Sequence, residues 1–189
     1  FHDELCDERE LARFSCSPKS LAFLLDKILH PVHHISQYTA LQLLRHFPTL
    51  YDRREEVLAC LMKCCERFPV TRGDTCRLAI NAICKLQLNN VLITKKLFRT
   101  FAKCDNDYVR LGMYEYLSAT EEQDGYVSYF LEGIQYIKFT LGRDTNRIGN
   151  EAFALVEGLK KMSSSQSIYE VFEWFATEKA KDFHDADKV

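Results

Sequence analysis

Apolar residues recur every three to four positions in segment after segment of this chain. That is the period of a helix packed on one face, not of a strand. Leu21, Leu24, Leu25, Ile28 and Leu29 form one such stripe, and Val57, Leu58, Leu61, Met62, Cys64 and Cys65 form another. Prolines punctuate the pattern: Pro31, Pro48 and Pro69 each follow a periodic segment, where a missing N–H and a fixed φ end a helix. Only 7 Gly and 4 Pro occur among 189 residues, too few for the many turns of a β-sandwich or barrel. With 47% hydrophobic and 28% charged residues the chain is of ordinary globular composition, which excludes low-complexity disorder.

The spacing predicts about ten helices and no strand. The first runs from Asp3 to Phe14. The second carries Leu21 to Leu29, with Ser17 as its N-cap and Pro18 in its first turn. Others follow over Val32 to Phe47, with Ile35, Ala40, Leu41, Leu43 and Leu44 as its apolar residues, and over Asp52 to Phe68. A helix capped by Asp74 or Thr75 carries Leu78, Ala79, Ala82, Ile83 and Leu86. After the Asn89–Asn90 turn, Val91 to Lys103 carries Leu92, Leu97, Phe98 and Phe101, and a cap within Asp105 to Asp107 opens the next helix. Tyr126 to Phe139, Asn146 to Met162 and Ser167 to Lys181 complete the set. Residues 182–189 read as a frayed charged tail. The whole, 1–189, reads as a single helical-repeat domain, and its first residue, Phe1, reads as the start of a piece of a longer chain.

The helices repeat. Residues 105–110 (DNDYVR) precede 111–117 (LGMYEYL), residues 74–77 (DTCR) precede 78–83 (LAINAI), and residues 145–147 (TNR) precede 148–155 (IGNEAFAL). Arg77, Arg110 and Arg147 align at spacings of 33 and 37 residues. The pattern of an acidic or Asn cap, an apolar–Arg pair and then small and large apolar residues resembles the HEAT/armadillo group of helical repeats. The resemblance spans roughly residues 18–180 and implies a right-handed α-solenoid of about five antiparallel helix pairs; an irregular helical bundle is the alternative. Ala40, Ala79 and Gly112 fall near the middle of each pair's first helix, where small side chains permit close helix approach.

The 8 cysteines do not read as a disulfide framework. No signal-peptide pattern precedes them, since Asp3, Glu4, Asp7, Glu8 and Glu10 crowd the N-terminus, and most lie among apolar residues as small core side chains. The expectation is free thiols in a reducing, intracellular and cytoplasmic setting. Cys60, Cys64 and Cys65, with His30, His33 and His34, are the only clustered candidate metal ligands, but no CxxC pair occurs. Neither a nucleophile elbow nor a Gly-rich phosphate loop is present. Cys16, between Ser15 and Ser17 at an expected helix start where a thiolate is favoured, is only a weak candidate nucleophile, and the Glu121, Glu122, Asp124 run reads as solvated surface. No enzyme, cofactor or metal is expected, and no run of about 18 uncharged apolar residues implies a membrane span.

Charge distribution is the most informative feature. The net charge of −2 conceals −2 over residues 1–44, +6 over 45–110 and −6 over 111–189. Within Val91 to Lys103, Lys95, Arg99 and Lys103 recur every four residues with Lys96 beside them, and no acidic residue shares the helix. Lys63 and Arg67 repeat that spacing on Asp52 to Phe68, the previous helix in the same structural role. The HEAT resemblance implies that such second helices line a concave face. Lys63, Arg67, Lys95, Lys96, Arg99 and Lys103 are therefore the candidate partner-binding residues, as a stripe of one sign attracts an acidic partner. The partner expected is a protein or acidic peptide contacting a scaffold, regulatory or sensor segment. A nucleic-acid-binding HEAT-like module is the alternative, disfavoured by the near-neutral total charge. The aromatics Tyr126, Tyr129, Phe130, Tyr136, Phe139, Tyr169, Phe172, Trp174 and Phe175 are expected mostly in the core, with one of Trp174 and Phe175 exposed.

Overall fold

The computed structural model describes residues 17–120, 123–140, 145–162, 164, 166–174 and 177. The expected helix Asp3 to Phe14 and the tail 182–189 lie outside them. The regular structure among the described residues is all helical, with no strand: α1 Pro18–Leu29, α2 His34–Leu44, α3 Arg54–Glu66, α4 Gly73–Lys85, α5 Val91–Phe101, α6 Asp107–Ala119, a 3-10 turn Gln123–Tyr126, α7 Val127–Thr140 and α8 Thr145–Lys160. A further helix covers residues 166–174. The chain divides into two compact units, Phe1–Tyr116 and Leu117–Val189.

Helix starts follow their capping chemistry. Ser17 Oγ accepts from the Ser20 N–H at 3.1 Å, and Pro18 opens α1. Asn90 Oδ1 accepts from the Ile93 N–H at 3.0 Å ahead of α5. For α6 the cap is Asn106, whose Oδ1 accepts from the Tyr108 and Val109 N–H groups at 3.1 and 3.2 Å, satisfying two of the first turn's orphan donors. α4 begins at Gly73, a residue or two earlier than its expected Asp74 or Thr75 cap, with Arg72 at the N-cap position. α2 is shorter at both ends than the expected Val32–Phe47, and α3 shorter than Asp52–Phe68.

In the first unit α1 packs on α2 and α3 on α4, while α1 also packs on α3 and α2 on α4. α5 joins α3 through a salt bridge from Lys96 to Glu66 at 2.6 Å and an edge-to-face pair of Phe101 with Phe68 at 6.3 Å. α6 joins α4 through Arg77, whose Nε and Nη2 donate to Glu115 Oε2 and Oε1 at 2.9 and 2.6 Å. Asn81 Nδ2 donates to the same carboxylate at 2.7 Å. Helices α1, α3 and α5 thus form one row and α2, α4 and α6 a second. Leu21, Leu24, Ile28, Leu41, Leu44, Leu61, Ile80, Ile83 and Leu97 fill the space between the rows and are essentially buried. Ala40 and Ala79 are buried in the second row, and Gly112 lies so close to α4 that a Cβ there would stand 3.1 Å from Arg77 Cα. Small residues at mid-helix let the backbones approach, as the spacing implied.

The second unit has its own core around Phe130, Leu131, Ala154 and Leu155. α7 packs on α8, where Gly158 leaves room for the Phe130 ring. Ser118 Oγ donates to the Ala154 carbonyl at 2.7 Å.

Candidate partner-binding face on α3 and α5

Burial of one face of α5 decides what the other presents. Thr94, Leu97 and Phe101 are buried, and Thr94 Oγ1 is hydrogen-bonded to the Tyr116 hydroxyl at 3.0 Å. Positions 94, 97 and 101 fix the helix by its inner side, so residues 92, 95, 96 and 99 are turned outward. Lys95, Lys96 and Arg99 are exposed accordingly. Lys103 is exposed too, but it lies past the helix end at Phe101, not inside it as the periodicity implied.

The six expected residues have different situations. Lys63 is exposed on α3. Arg67, the C-cap of α3, turns inward in part and donates from Nη1 to the Leu29 carbonyl at 2.6 Å, satisfying a carbonyl at the end of α1. Lys96 is paired with Glu66, both about half exposed at 55% and 51%. Among the described residues no carboxylate lies within ion-pair distance of Lys63, Lys95, Arg99 or Lys103. On α3, on α5 and just after it, the face therefore has four cations without an ion-pair partner among the described residues, one cation shared with Glu66, and one cation, Arg67, held by the fold.

Two features of this face escaped the sequence reading. Glu66, thirty residues from Lys96 in the chain, sits inside the basic face. Leu92, expected with Leu97 and Phe101 on the apolar side, is 77% exposed. Its position did carry the signal, because residues 92, 96 and 99 share a face at i, i+4 and i+7.

Four of the described thiols belong to the core: Cys60, Cys64, Cys65 and Cys76 are buried free cysteines, while Cys84 and Cys104 are only partly buried. Burial pushes the Cys60 and Cys64 thiols up to about 12, since a thiolate there would be stripped of water. Cys65 is raised well above its ordinary value, chiefly by its hydrogen bond with Cys76 and then by burial. Such thiols are poor nucleophiles and poor ligands. Among the described residues no group of three or more His, Cys, Asp and Glu is placed to hold a metal ion. No described helix is long and apolar enough to cross a membrane.

The aromatic residues of the second unit divide. Tyr126, Tyr129 and Phe130 are buried as expected, but Tyr169 and Phe172 are exposed at 60% and 69%. Trp174 is half-buried. Ile35, expected on the apolar side of its helix, is also exposed at 66%. In each case the period identifies a stripe, while the neighbouring helices decide how much of it is covered. The side chains of Tyr136, Phe139, Arg147 and Phe175, and the residues Cys16, Glu121 and Glu122, lie outside what is described.

Compared with known protein families, with curated proteins and with solved structures, the chain matches none.

Proposed function

We propose that this chain is a non-enzymatic interaction scaffold or regulatory segment, built as a HEAT-like α-solenoid, that binds an acidic partner along the basic face of α3 and α5. The observation that carries the reading is the outward row on and just after α5: Lys95, Arg99 and Lys103 are exposed and have no carboxylate within ion-pair distance among the described residues. Like charges at this spacing are mutually unfavourable by a few tenths of a kcal/mol, a cost that an acidic partner relieves. In the first unit the pair α1–α2 meets the pair α3–α4 through α1 on α3 and α2 on α4, and these equivalent neighbours support the solenoid reading. The partner is a protein or acidic peptide, not a nucleic acid. Four cations interleaved with a carboxylate and an exposed leucine suit a mixed protein surface better than a continuous phosphate backbone.

The test is a titration of the intact chain with a fluorescent glutamate-rich peptide and, in parallel, with a duplex DNA of similar charge, each at several salt concentrations. The reading expects the peptide to bind, and more tightly than DNA at physiological salt. DNA bound more tightly, with a steep loss between about 50 and 200 mM salt, supports the nucleic-acid alternative instead.

A further inference from the structure

A lone exposed leucine needs no explanation on a protein surface. Leu92 is not placed at random, however. At 77% exposure it stands in the same outward row as Lys96 and Arg99 and one turn before Lys95, at the N-terminal end of α5. The first turn of α5 also leaves Val91 exposed at 44%, so the basic row ends on an apolar step. A chain whose carboxylates reach along Lys95, Arg99 and Lys103 and continues in the same direction passes over Leu92. At a rise of about 1.5 Å per residue, the helical stretch from Leu92 to Phe101 spans roughly 14 Å, and with Lys103 just beyond it the row matches about three helical turns of a partner.

We infer that the partner is an acidic amphipathic segment, about three helical turns long, with a large apolar side chain at one end that rests on Leu92. The inference deepens the proposed function and rests on it, since it presumes that the basic face is occupied. Charge complementarity selects the acidic body of the segment, and the exposed leucine selects its apolar end. Charge draws the two chains together and sets the association rate; the buried leucine adds directionality and slows release. Glu66 shapes the same choice. Its carboxylate beside Lys96 repels a partner that is acidic throughout its length more than one with a gap or apolar residue at that level.

The experiment compares two labelled twelve-residue peptides by fluorescence anisotropy. One carries glutamates at i, i+4 spacing with a terminal leucine, and the other has alanine in place of that leucine. Each is titrated against the intact wild-type chain and against Leu92→Ser. A residue this exposed contributes little to folding, and an unchanged melting temperature verifies that in the variant. The expected result is that wild type prefers the leucine peptide by about fivefold, the effect of burying part of one leucine on each side, and that Leu92→Ser abolishes the preference while still binding the alanine peptide as wild type does. Equal binding of both peptides by wild type overturns the inference and leaves the basic face standing. A preference that persists in Leu92→Ser also overturns it, because the apolar contact then lies elsewhere. If neither peptide binds wild type at low salt, the proposed function fails and the inference with it.

Discussion

Lys96 on α5 donates to Glu66 on α3 at 2.6 Å, so the basic face contains its own competitor for an acidic ligand. Both side chains are about half exposed, and exposed pairs of this kind contribute roughly 0–1 kcal/mol. A partner carboxylate can therefore displace Glu66 at little cost. Glu66→Gln is expected to tighten binding of an acidic peptide by about two- to fivefold and to move the melting temperature by only a degree or two. Weaker binding in this variant would mean that Glu66 supports the site and does not compete with the ligand.

Arg77 and Glu115 join α4 to α6 with two charge-assisted hydrogen bonds, and Asn81 supplies a third to the same carboxylate. Side-chain exposures of 22% and 27% leave this group only partly screened by solvent. Glu115→Ala should destabilise the protein by about 2 kcal/mol, and Glu115→Gln by less, since the amide keeps an acceptor. Chemical denaturation measures both. An Ala variant within about 0.5 kcal/mol of wild type would show that the network is incidental.

Gly112 faces the α4 backbone at Arg77, where a Cβ would stand 3.1 Å from Arg77 Cα and from its Cγ. In Gly112→Ala the better helix propensity, about 1 kcal/mol, works against this crowding, and the net change should be small. Gly112→Val has no such balance: its branches must enter space held by α4, and a loss of about 2–3 kcal/mol is expected. Thermal unfolding of the two variants decides whether the helices approach as closely as the structure has them.

The buried thiols make stability fall at alkaline pH. Cys64 has its pKa pushed from 9.0 to about 12 in the folded protein by burial. Below pH 9 the folded and unfolded chains both hold the proton, so its contribution is fully present. Between about 9 and 12 only the unfolded chain releases the proton, and each such thiol lowers the folding constant by up to tenfold per pH unit. Cys64→Ala is therefore expected to be less stable than wild type at pH 7.5 but to lose less between pH 8.5 and 10.5, as read by urea denaturation. Equal losses in the two proteins would show that this thiol is not shielded.

In the native protein at pH 8, Cys60, Cys64, Cys65 and Cys76 should resist alkylation and then react on unfolding, because all four are buried away from the reagent. Mass spectrometry after a short iodoacetamide pulse identifies the labelled positions. Rapid native labelling at any of these four contradicts the packing.

Much of the helical layout was legible in the chain because its stops and starts are chemical. Ser17 with Pro18, and Asn90, act at helix starts as their side chains suggest. The small residue Gly112 announced a close helix approach that exists. Helix ends were less legible: α2 and α3 each stop short of the expected bounds, giving way to turns at residues 45–46 and 67–70 before or around the prolines expected to end them. Exposure was legible only in part. Ile35, Leu92 and Phe172 fit an apolar stripe locally, yet lie where no described helix covers them. The basic row on α5 was legible from its four-residue spacing. The roles of Arg67 and Glu66 were not, because each depends on a partner about thirty or more residues away in the chain.

The central claim, that an acidic partner occupies the outward row of α5, is tested most directly by reversing it. The triple variant Lys95→Glu, Arg99→Glu and Lys103→Glu alters exposed side chains only, so its circular dichroism and melting temperature should stay close to those of wild type. Its binding of the glutamate-rich peptide, measured by stopped-flow fluorescence, should fall by more than tenfold, mainly through a slower association rate. A folded triple variant that binds the peptide with the wild-type rate and affinity would contradict the account.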